Sequence, residues 1–269
     1  MGGVNDPIAH LGLLDDEEIQ IEVAALELSA LDHEGIDLDP YLALLADMEE
    51  KLASIAGDAL DGVEQGGALA QVIGVDYGFT GDRTSYDAPL NADMIRVIDR
   101  RKGLPVSLSI LYVGLARRLG WQADALNTPG HVVVSLASGG NPAIIDPFSG
   151  GRQLSPDGLL ALIAHATGPT GFPDELHLSA MTNRMTLTRL LLNQASRAEQ
   201  AGDSGRAMTL YERMTVVAPG EGKGWWELAR LRLAAGNRTE ARASLTSMLE
   251  ITKEAEQRAH IIAMLEAIA

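Results

Sequence analysis

His131 and Asp146 are the residues of this sequence whose types and spacing are best suited to chemistry. A carboxylate that accepts a hydrogen bond from an imidazole fixes the ring orientation and prepares it to act as a general base. Such a base acts on a nucleophile, and the candidates are the Ser107 hydroxyl and an activated water. The pair therefore fits general-base catalysis, and it also fits a hydrogen bond that only fixes the fold.

The position of His131 relative to Asp146 depends on a predicted β-hairpin. The β-branched runs HVVVSL and PAIIDPF, separated by ASGGN, are typical of two strands joined by a turn. A turn at Ser138-Gly139 sets His131 directly opposite Asp146, with about 4.5–5.5 Å between their Cβ atoms. A turn at Gly139-Gly140 makes the two residues diagonal neighbours on one face, whereas a three-residue loop puts them on opposite faces.

A buried helix is predicted to begin at Pro105, because proline suits the first helical turn. Apolar residues then recur at steps of three and four: Leu108, Leu111, Tyr112, Leu115 and Leu119. Gly120 is expected to end the helix. Ser107 lies about 200° around the helix from Pro105. We therefore expect its hydroxyl to bond the unpaired N–H groups of the first turn, while Ser109 serves as a small packing residue.

The loop DYGFTGDRTSYDAPLN precedes this helix and carries further candidates for the same cleft. Asp82, Tyr86 and Asn91 are the side chains that we expect to contribute to binding. The alternative is turn chemistry, in which Asp and Asn side chains cap nearby backbone groups.

Composition restricts the chemistry of the site. The chain of 269 residues contains no cysteine, which excludes disulfides, thiolate metal ligands and thiol catalysis. A metal site is not expected, because the other histidines show no ligand spacing with His131; they are His10, His33, His165, His177 and His260. No cofactor is expected either. The sequence shows neither a secretory signal peptide nor a run of about 18 apolar residues, so we expect a soluble cytoplasmic protein.

Negative charge is concentrated at the start of the chain. The net charge is −16, and residues 1–65 hold 17 acidic residues against a single basic one, Lys51. Such a surface repels nucleic acid; it either attracts a basic partner or only increases solubility.

The C-terminal part contains an internal repeat. Gly202, Ala207 and Tyr211 recur as Gly236, Ala241 and Leu245, each displaced by 34 residues. This spacing resembles the tetratricopeptide repeat, with residues 254–268 as a final capping helix. We expect two domains, residues 1–180 and 181–269. Residues 185–269 would supply the partner-binding surface, with Trp225 and Trp226 as binding residues.

Four stretches together resemble the SirB-type branch of the transglutaminase-like superfamily. They are YGFTGDRTSYDAPLN, RRKGLPVSLSILYVGLARRLGW, PGHVVVSL and IIDPFSGGRQLS. The resemblance covers about residues 10–165, and members of this branch often carry C-terminal tetratricopeptide repeats. It implies an α+β, mostly helical fold, in which a degenerate transglutaminase- or papain-like core with a small antiparallel sheet precedes an all-α repeat segment.

The resemblance also assigns roles to the site residues. His131 and Asp146 match the second and third members of the superfamily's catalytic triad, and Pro105 occupies the position of the nucleophilic cysteine. A proline has no nucleophilic atom. The resemblance thus favours a non-catalytic interaction or regulatory protein whose partner is an unidentified protein or peptide. The alternative that it implies is a hydrolase or acyltransferase acting on amide or ester bonds, which uses His131 and Asp146 with Ser107 or an activated water.

Overall fold

The computed structural model describes residues 7–56, 59–168 and 178–268, and the fold is mostly helical with two small sheets. The chain forms two compact units, one of residues 15–187 and one of residues 7–14 with 188–268. The prediction of a mostly helical fold with a small antiparallel sheet is confirmed. Within the described residues, no helix combines the length and the apolar character that a membrane crossing requires.

Eleven α-helices are present in the described ranges: α1 (Ile21–Ala30), α2 (Asp39–Ala56), α3 (Gly62–Leu69), α4 (Met94–Arg100), α5 (Pro105–Arg118), α6 (Pro156–Thr167), α7 (Asn183–Gln200), α8 (Ser204–Val217), α9 (Gly222–Ala234), α10 (Arg238–Ile251) and α11 (Ala255–Ala267). The strands in the same ranges are β1 (Thr80–Gly81), β2 (Lys102–Gly103), β3 (Ala123–Leu126), β4 (Val133–Leu136), β5 (Ala143–Asp146) and β6 (Arg152–Gln153).

Helix α5 is the buried helix of the unit formed by residues 15–187. Every residue from Pro105 to Ala116 is buried, as expected for a helix that is apolar on nearly all sides. Pro105 occupies the first turn and Gly120, with φ of +75°, follows the helix, so both predicted ends are confirmed. The helix packs against α1, α2, α3, β3 and β4.

The four-stranded sheet has the order β3-β4-β5-β6, and all of its pairs are antiparallel. Leu136 pairs with Ala143, which is the register of a turn centred on Gly139-Gly140. The register based on a Ser138-Gly139 turn is therefore wrong. The reason lies in the turn itself: Gly139 has φ of +66°, the left-handed value that the first central residue of a two-residue hairpin turn requires, and the alternative turn would have required it of Ser138.

A π-helix, Ala70–Asp76, directly continues α3. The start of α3 is fixed by Asp61, whose side chain accepts a hydrogen bond from Glu64 N at 2.9 Å. Packing is tight here, since a Cβ placed on Gly74 would lie 2.6 Å from the carbonyl oxygen of Gly150. The π-helix therefore lies against the turn that follows β5.

The other unit contains helices α8 to α11, each of which packs on the next, and their geometry recurs after 34 residues. Gly202 and Gly236 both have φ of +78°, and each is followed by a side chain that caps the next helix. Ala207 and Ala241 are both fully buried. A 3₁₀ turn, Ala9–Gly12, packs against α8 and belongs to this unit, although the predicted division of the chain placed it with the first domain.

Candidate functional site

His131 and Asp146 form a hydrogen-bonded pair. The distance from His131 Nε2 to Asp146 Oδ1 is 2.8 Å, and their side chains are 16% and 5% exposed. Asp146 ends β5, while His131 lies two residues before β4, so the observed register makes them diagonal neighbours on one face of the sheet. The sequence prediction that these two side chains meet is thus correct, through the second of the two turns considered.

Asp146 is held as a carboxylate. Burial by itself raises its pKa, but the hydrogen bond and charge of His131, with hydrogen bonds from Ser149 and from Phe148 N at 3.0 Å, outweigh burial. The pKa of Asp146 consequently lies below its ordinary value. An ionised Asp146 fixes both the imidazole ring and the turn that follows β5.

Close backbone packing fixes that turn, which comprises residues 147–151. A Cβ on Gly151 would lie 2.8 Å from the Tyr112 hydroxyl, and a Cβ on Gly81 would overlap the Phe148 ring. The Gly151 N–H also donates to the Asp146 carbonyl at 2.9 Å. Small residues on three separate segments therefore let the turn approach β1, α5 and the π-helix.

The two serines of α5 bond to backbone groups. Ser107 Oγ accepts a hydrogen bond from Leu104 N at 2.8 Å and donates to the Asn91 carbonyl at 2.7 Å. Ser109 Oγ donates to the Val132 carbonyl at 3.4 Å. The geometry of Ser107 is that of a helix-capping hydroxyl, which is the role that its position relative to Pro105 indicated.

Tyr112 brings an unexpected phenol to the site. It lies within about 20° of Pro105 around the helix, so both belong to the helix face that meets Gly151 and Val132. Its hydroxyl is buried and makes no hydrogen bond to any described residue. Burial, followed by the negative charge of Asp146, raises the pKa of Tyr112. The sequence indicated only an apolar packing role, because helical spacing does not reveal which polar groups lie opposite.

Asp82 and Asn91 are linked through Arg100. Arg100 Nη2 donates to Asp82 Oδ2 at 2.6 Å and its Nη1 donates to Asn91 Oδ1 at 2.8 Å. The pKa of Asp82 is lowered, first by the hydrogen bond from Ser85 N, against the opposing effect of burial, with Arg100 also contributing. These contacts are the turn chemistry that was the alternative to ligand binding, and they hold the loop against the start of α5 through the Asn91–Ser107 hydrogen bond.

Tyr86 reaches the His131 region through Phe148. The Tyr86 and Phe148 ring centroids lie 5.7 Å apart, and those of His131 and Phe148 lie 5.8 Å apart, both in edge-to-face geometry. Arg83 lies over the same Phe148 ring, at 5.0 Å from its centroid. Sequence reasoning missed Arg83 and Phe148; the signal available was only their presence in the two motif stretches around Asp82 and Asp146.

Trp225 and Trp226 are half-buried on α9 and face different neighbours. Trp225 Nε1 donates to the Pro219 carbonyl at 3.0 Å. Trp226 packs on the core cluster of Ala229 and Leu245, and its ring centroid lies 6.0 Å from that of His260. Both indole rings have partners within their own helical unit.

A second His–Asp contact lies elsewhere in the unit of residues 15–187. His33 Nε2 is 2.6 Å from Asp93 Oδ2, and Asp93 also caps α4 by accepting from Arg96 N at 3.2 Å. The His33–Asp93 pair links a loop to the start of a helix, so a His–Asp contact in this chain does not by itself indicate catalysis. Among the described residues, no group of three His, Cys, Asp or Glu side chains has the arrangement of a metal site.

The fold and the placement of the His–Asp pair define the class to which the chain belongs. The sequence model of the transglutaminase-like superfamily matches residues 39–192, which is more than half of the chain. The protein belongs to the transglutaminase-like superfamily. This part of the predicted resemblance is confirmed.

Relatives with similarity over most of the chain are UPF0162 proteins. The UPF0162 protein of Xylella fastidiosa (strain 9a5c) is 28% identical over 246 residues, covering 90% of this chain and 87% of the relative. That of Vibrio cholerae serotype O1 is 31% identical over 175 residues, covering 65% and 58%. Human F-box only protein 21 is 36% identical over 85 residues, covering 29% of this chain and 14% of that protein.

Proposed function

We propose that this chain is a non-catalytic interaction or regulatory protein built on a SirB-type transglutaminase-like domain. The observation that carries the proposal is the start of α5. Pro105 stands at the position that the superfamily motif gives to its nucleophilic cysteine, and it is buried. The hydroxyl two residues further on, that of Ser107, is bonded by Leu104 N and the Asn91 carbonyl. In this proposal neither Pro105 nor Ser107 supplies a nucleophile to the His131–Asp146 pair.

The His131–Asp146 pair has a structural purpose in this proposal. Asp146 is nearly fully buried and fixes residues 147–149 as well as the imidazole. Loss of a buried charged partner is strongly destabilising, so the pair would be retained after catalysis was lost. The His33–Asp93 contact provides an example of the same chemistry without a catalytic setting.

The helices from α7 to α11 are proposed to be tetratricopeptide-type repeats that bind a protein or peptide partner. Support comes from the 34-residue recurrence: Asp203 and Asn237 each cap the following helix, by accepting from Arg206 N and Glu240 N. Repeats of this kind stack into extended binding surfaces. Residues 1–65, with their acidic excess, would favour a basic partner.

The catalytic alternative is tested with a serine-reactive fluorophosphonate probe on the whole chain. The proposal expects no labelling that depends on His131. Labelling that disappears in both Ser107→Ala and His131→Ala, but persists in Ser54→Ala, would replace the proposal with a serine hydrolase. Ser54 is the matched control because it is exposed and its hydroxyl donates to a backbone carbonyl three residues away.

The binding role is tested by cross-linking and mass spectrometry on partners captured with the whole chain as bait. The proposal expects cross-links to concentrate in residues 188–268. Cross-links confined to residues 15–187 would contradict the assignment of the helical unit as the partner-binding surface.

A further inference from the structure

Arg83 is fixed beside the His131–Asp146 pair. Its guanidinium carbon lies 5.0 Å from the centroid of the Phe148 ring, and Nη2 donates to Ser149 Oγ at 3.1 Å. The residue is exposed, yet these two contacts restrict a side chain that would otherwise be mobile. The cation is therefore held in place at the surface of the site.

Phe148 provides the fixed centre around which the site groups are arranged. It is 7% exposed, and its ring packs on Gly81 at a position where a Cβ would overlap it. Arg83, Tyr86 and His131 each lie within 6 Å of the centre of this ring. A cation, a phenol and an imidazole thus surround one immobile ring.

The positive charge of Arg83 has no carboxylate partner among the described residues. The carboxylate next to it in sequence, Asp82, is paired with Arg100 at 2.6 Å. Asp146 is bonded by His131 and by Phe148 N. Of the five guanidinium N–H groups, one is used by Ser149, and the others have no acceptor in the described part of the chain.

We propose that this former catalytic centre binds the carboxylate of a ligand through Arg83, with the apolar part of the ligand against Tyr86. A planar carboxylate matches the guanidinium fork, which can donate two parallel hydrogen bonds to it. Tyr86, 38% exposed, offers an aromatic surface beside that fork. The inference rests on the proposed function, because binding here takes the place of turnover.

The probe is N-benzoylglycine, which joins a carboxylate to an aromatic ring, compared with its primary amide. Binding is followed by backbone amide chemical shifts in the whole ¹⁵N-labelled chain. The acid is expected to shift the signals of residues 82–86 and 148–151, and the amide to leave them unchanged. Arg83→Gln should weaken binding of the acid by about tenfold or more, with Arg83→Lys in between.

Arg238→Gln is the matched control, since Arg238 is an exposed arginine of the other unit. This variant should bind the acid with the same affinity as the unaltered chain. Absence of shifts with the acid, or unchanged affinity in Arg83→Gln, would overturn the inference. Inorganic phosphate forms a separate arm, and shifts with phosphate but none with the acid would also overturn it. His131-dependent serine labelling would instead refute the proposed function and leave carboxylate binding standing, as the binding of a product.

Discussion

Ser107 shows how position decides the role of a side chain. Its hydroxyl accepts a hydrogen bond from Leu104 N and donates one to the Asn91 carbonyl. The residue is fully buried. The Leu104 N–H also donates to the Asn91 carbonyl at 3.0 Å, so loss of the hydroxyl would remove the bonds of the cap and leave these two backbone groups bonded to each other. The capping role follows from its place in the first turn of α5, two residues beyond Pro105.

Replacing Ser107 by alanine should therefore lower the free energy of unfolding by about 0.5–2 kcal/mol, the usual cost of removing a capping hydroxyl. Urea unfolding of the whole chain measures the change. Ser54→Ala serves as the control and should be within about 0.5 kcal/mol of the unaltered protein, because Ser54 is exposed. Equal stability of the two variants would show that the Ser107 hydroxyl is not needed as a cap.

Ionisation of Asp146 makes the free energy of unfolding depend on pH in the acidic range. Its pKa in the folded chain is below its ordinary value, about 3.9 in an unfolded chain, so the unfolded state takes up protons first as the pH falls. The stabilisation is complete above about pH 5 and is lost as the pH falls through the folded-state pKa. Asp146→Asn should remove this part of the acid dependence.

The measurement is the free energy of unfolding between about pH 6 and pH 3 for the unaltered chain and for Asp146→Asn. The unaltered chain should lose more stability over that range, so that the difference between the two narrows towards low pH. Asp47→Asn, at an exposed position of α2, provides the control for a change of net charge. A constant difference across the range would contradict the assignment.

The contact of His131 with Asp146 could be predicted from sequence because a hairpin brings residues close in the chain onto one face. The roles of Arg83 and Tyr112 could not. Each depends on Phe148 or Gly151, which reach them from other segments through tertiary packing. Nothing in local spacing specifies which loop will cover which helix face.

Among the elements, α5 was predictable in both position and ends, because proline, apolar periodicity and glycine all agree there. The hairpin register was not, since it depends on which two residues form the turn, and the observed turn places Gly139, with φ of +66°, at its first central position. The π-helix at 70–76 also has no local sequence signal. Its geometry is linked to the approach of Gly74 to Gly150, which is a property of two elements and not of one.

Gly74 and Gly67 provide a matched pair for testing that approach. Gly74→Ala should lower the free energy of unfolding by about 1–3 kcal/mol, because its Cβ would lie 2.6 Å from a backbone oxygen that cannot easily move. Gly67→Ala should raise it by about 0.5–1 kcal/mol, since no atom lies within 4 Å of a Cβ there and alanine favours a helix. Urea unfolding distinguishes the two signs, and stabilisation by Gly74→Ala would contradict the close packing.

At the scale of the whole molecule, one of the two units is built from two segments that are far apart in the sequence. Residues 7–14 belong with residues 188–268, although more than 170 residues lie between them. The sequence divides naturally near residue 180, where the repeats begin, and its first residues carry no repeat signature. The assignment of residues 7–14 to the helical unit depends on where the apolar side chains of Ile8 and Leu11 are buried. Ile8 is 1% exposed and Leu11 is 2% exposed.

Leu11 and Leu13 test this assignment with one substitution each. Leu11 is 2% exposed in the 3₁₀ turn that packs on α8, whereas Leu13 is 87% exposed. Leu11→Ala should destabilise the unit by about 2–5 kcal/mol, because it removes a buried side chain and leaves a cavity. Leu13→Ala should change stability by no more than about 0.5 kcal/mol.

Amide hydrogen exchange in α8 is the measurement, since it reports the opening of that helix without requiring both units to unfold together. Faster exchange throughout α8 in Leu11→Ala, with unchanged exchange in Leu13→Ala, is expected. If the two variants exchanged equally, burial of Leu11 would contribute nothing to the helical unit. Residues 7–14 would then contact the helices without contributing to their hydrophobic core.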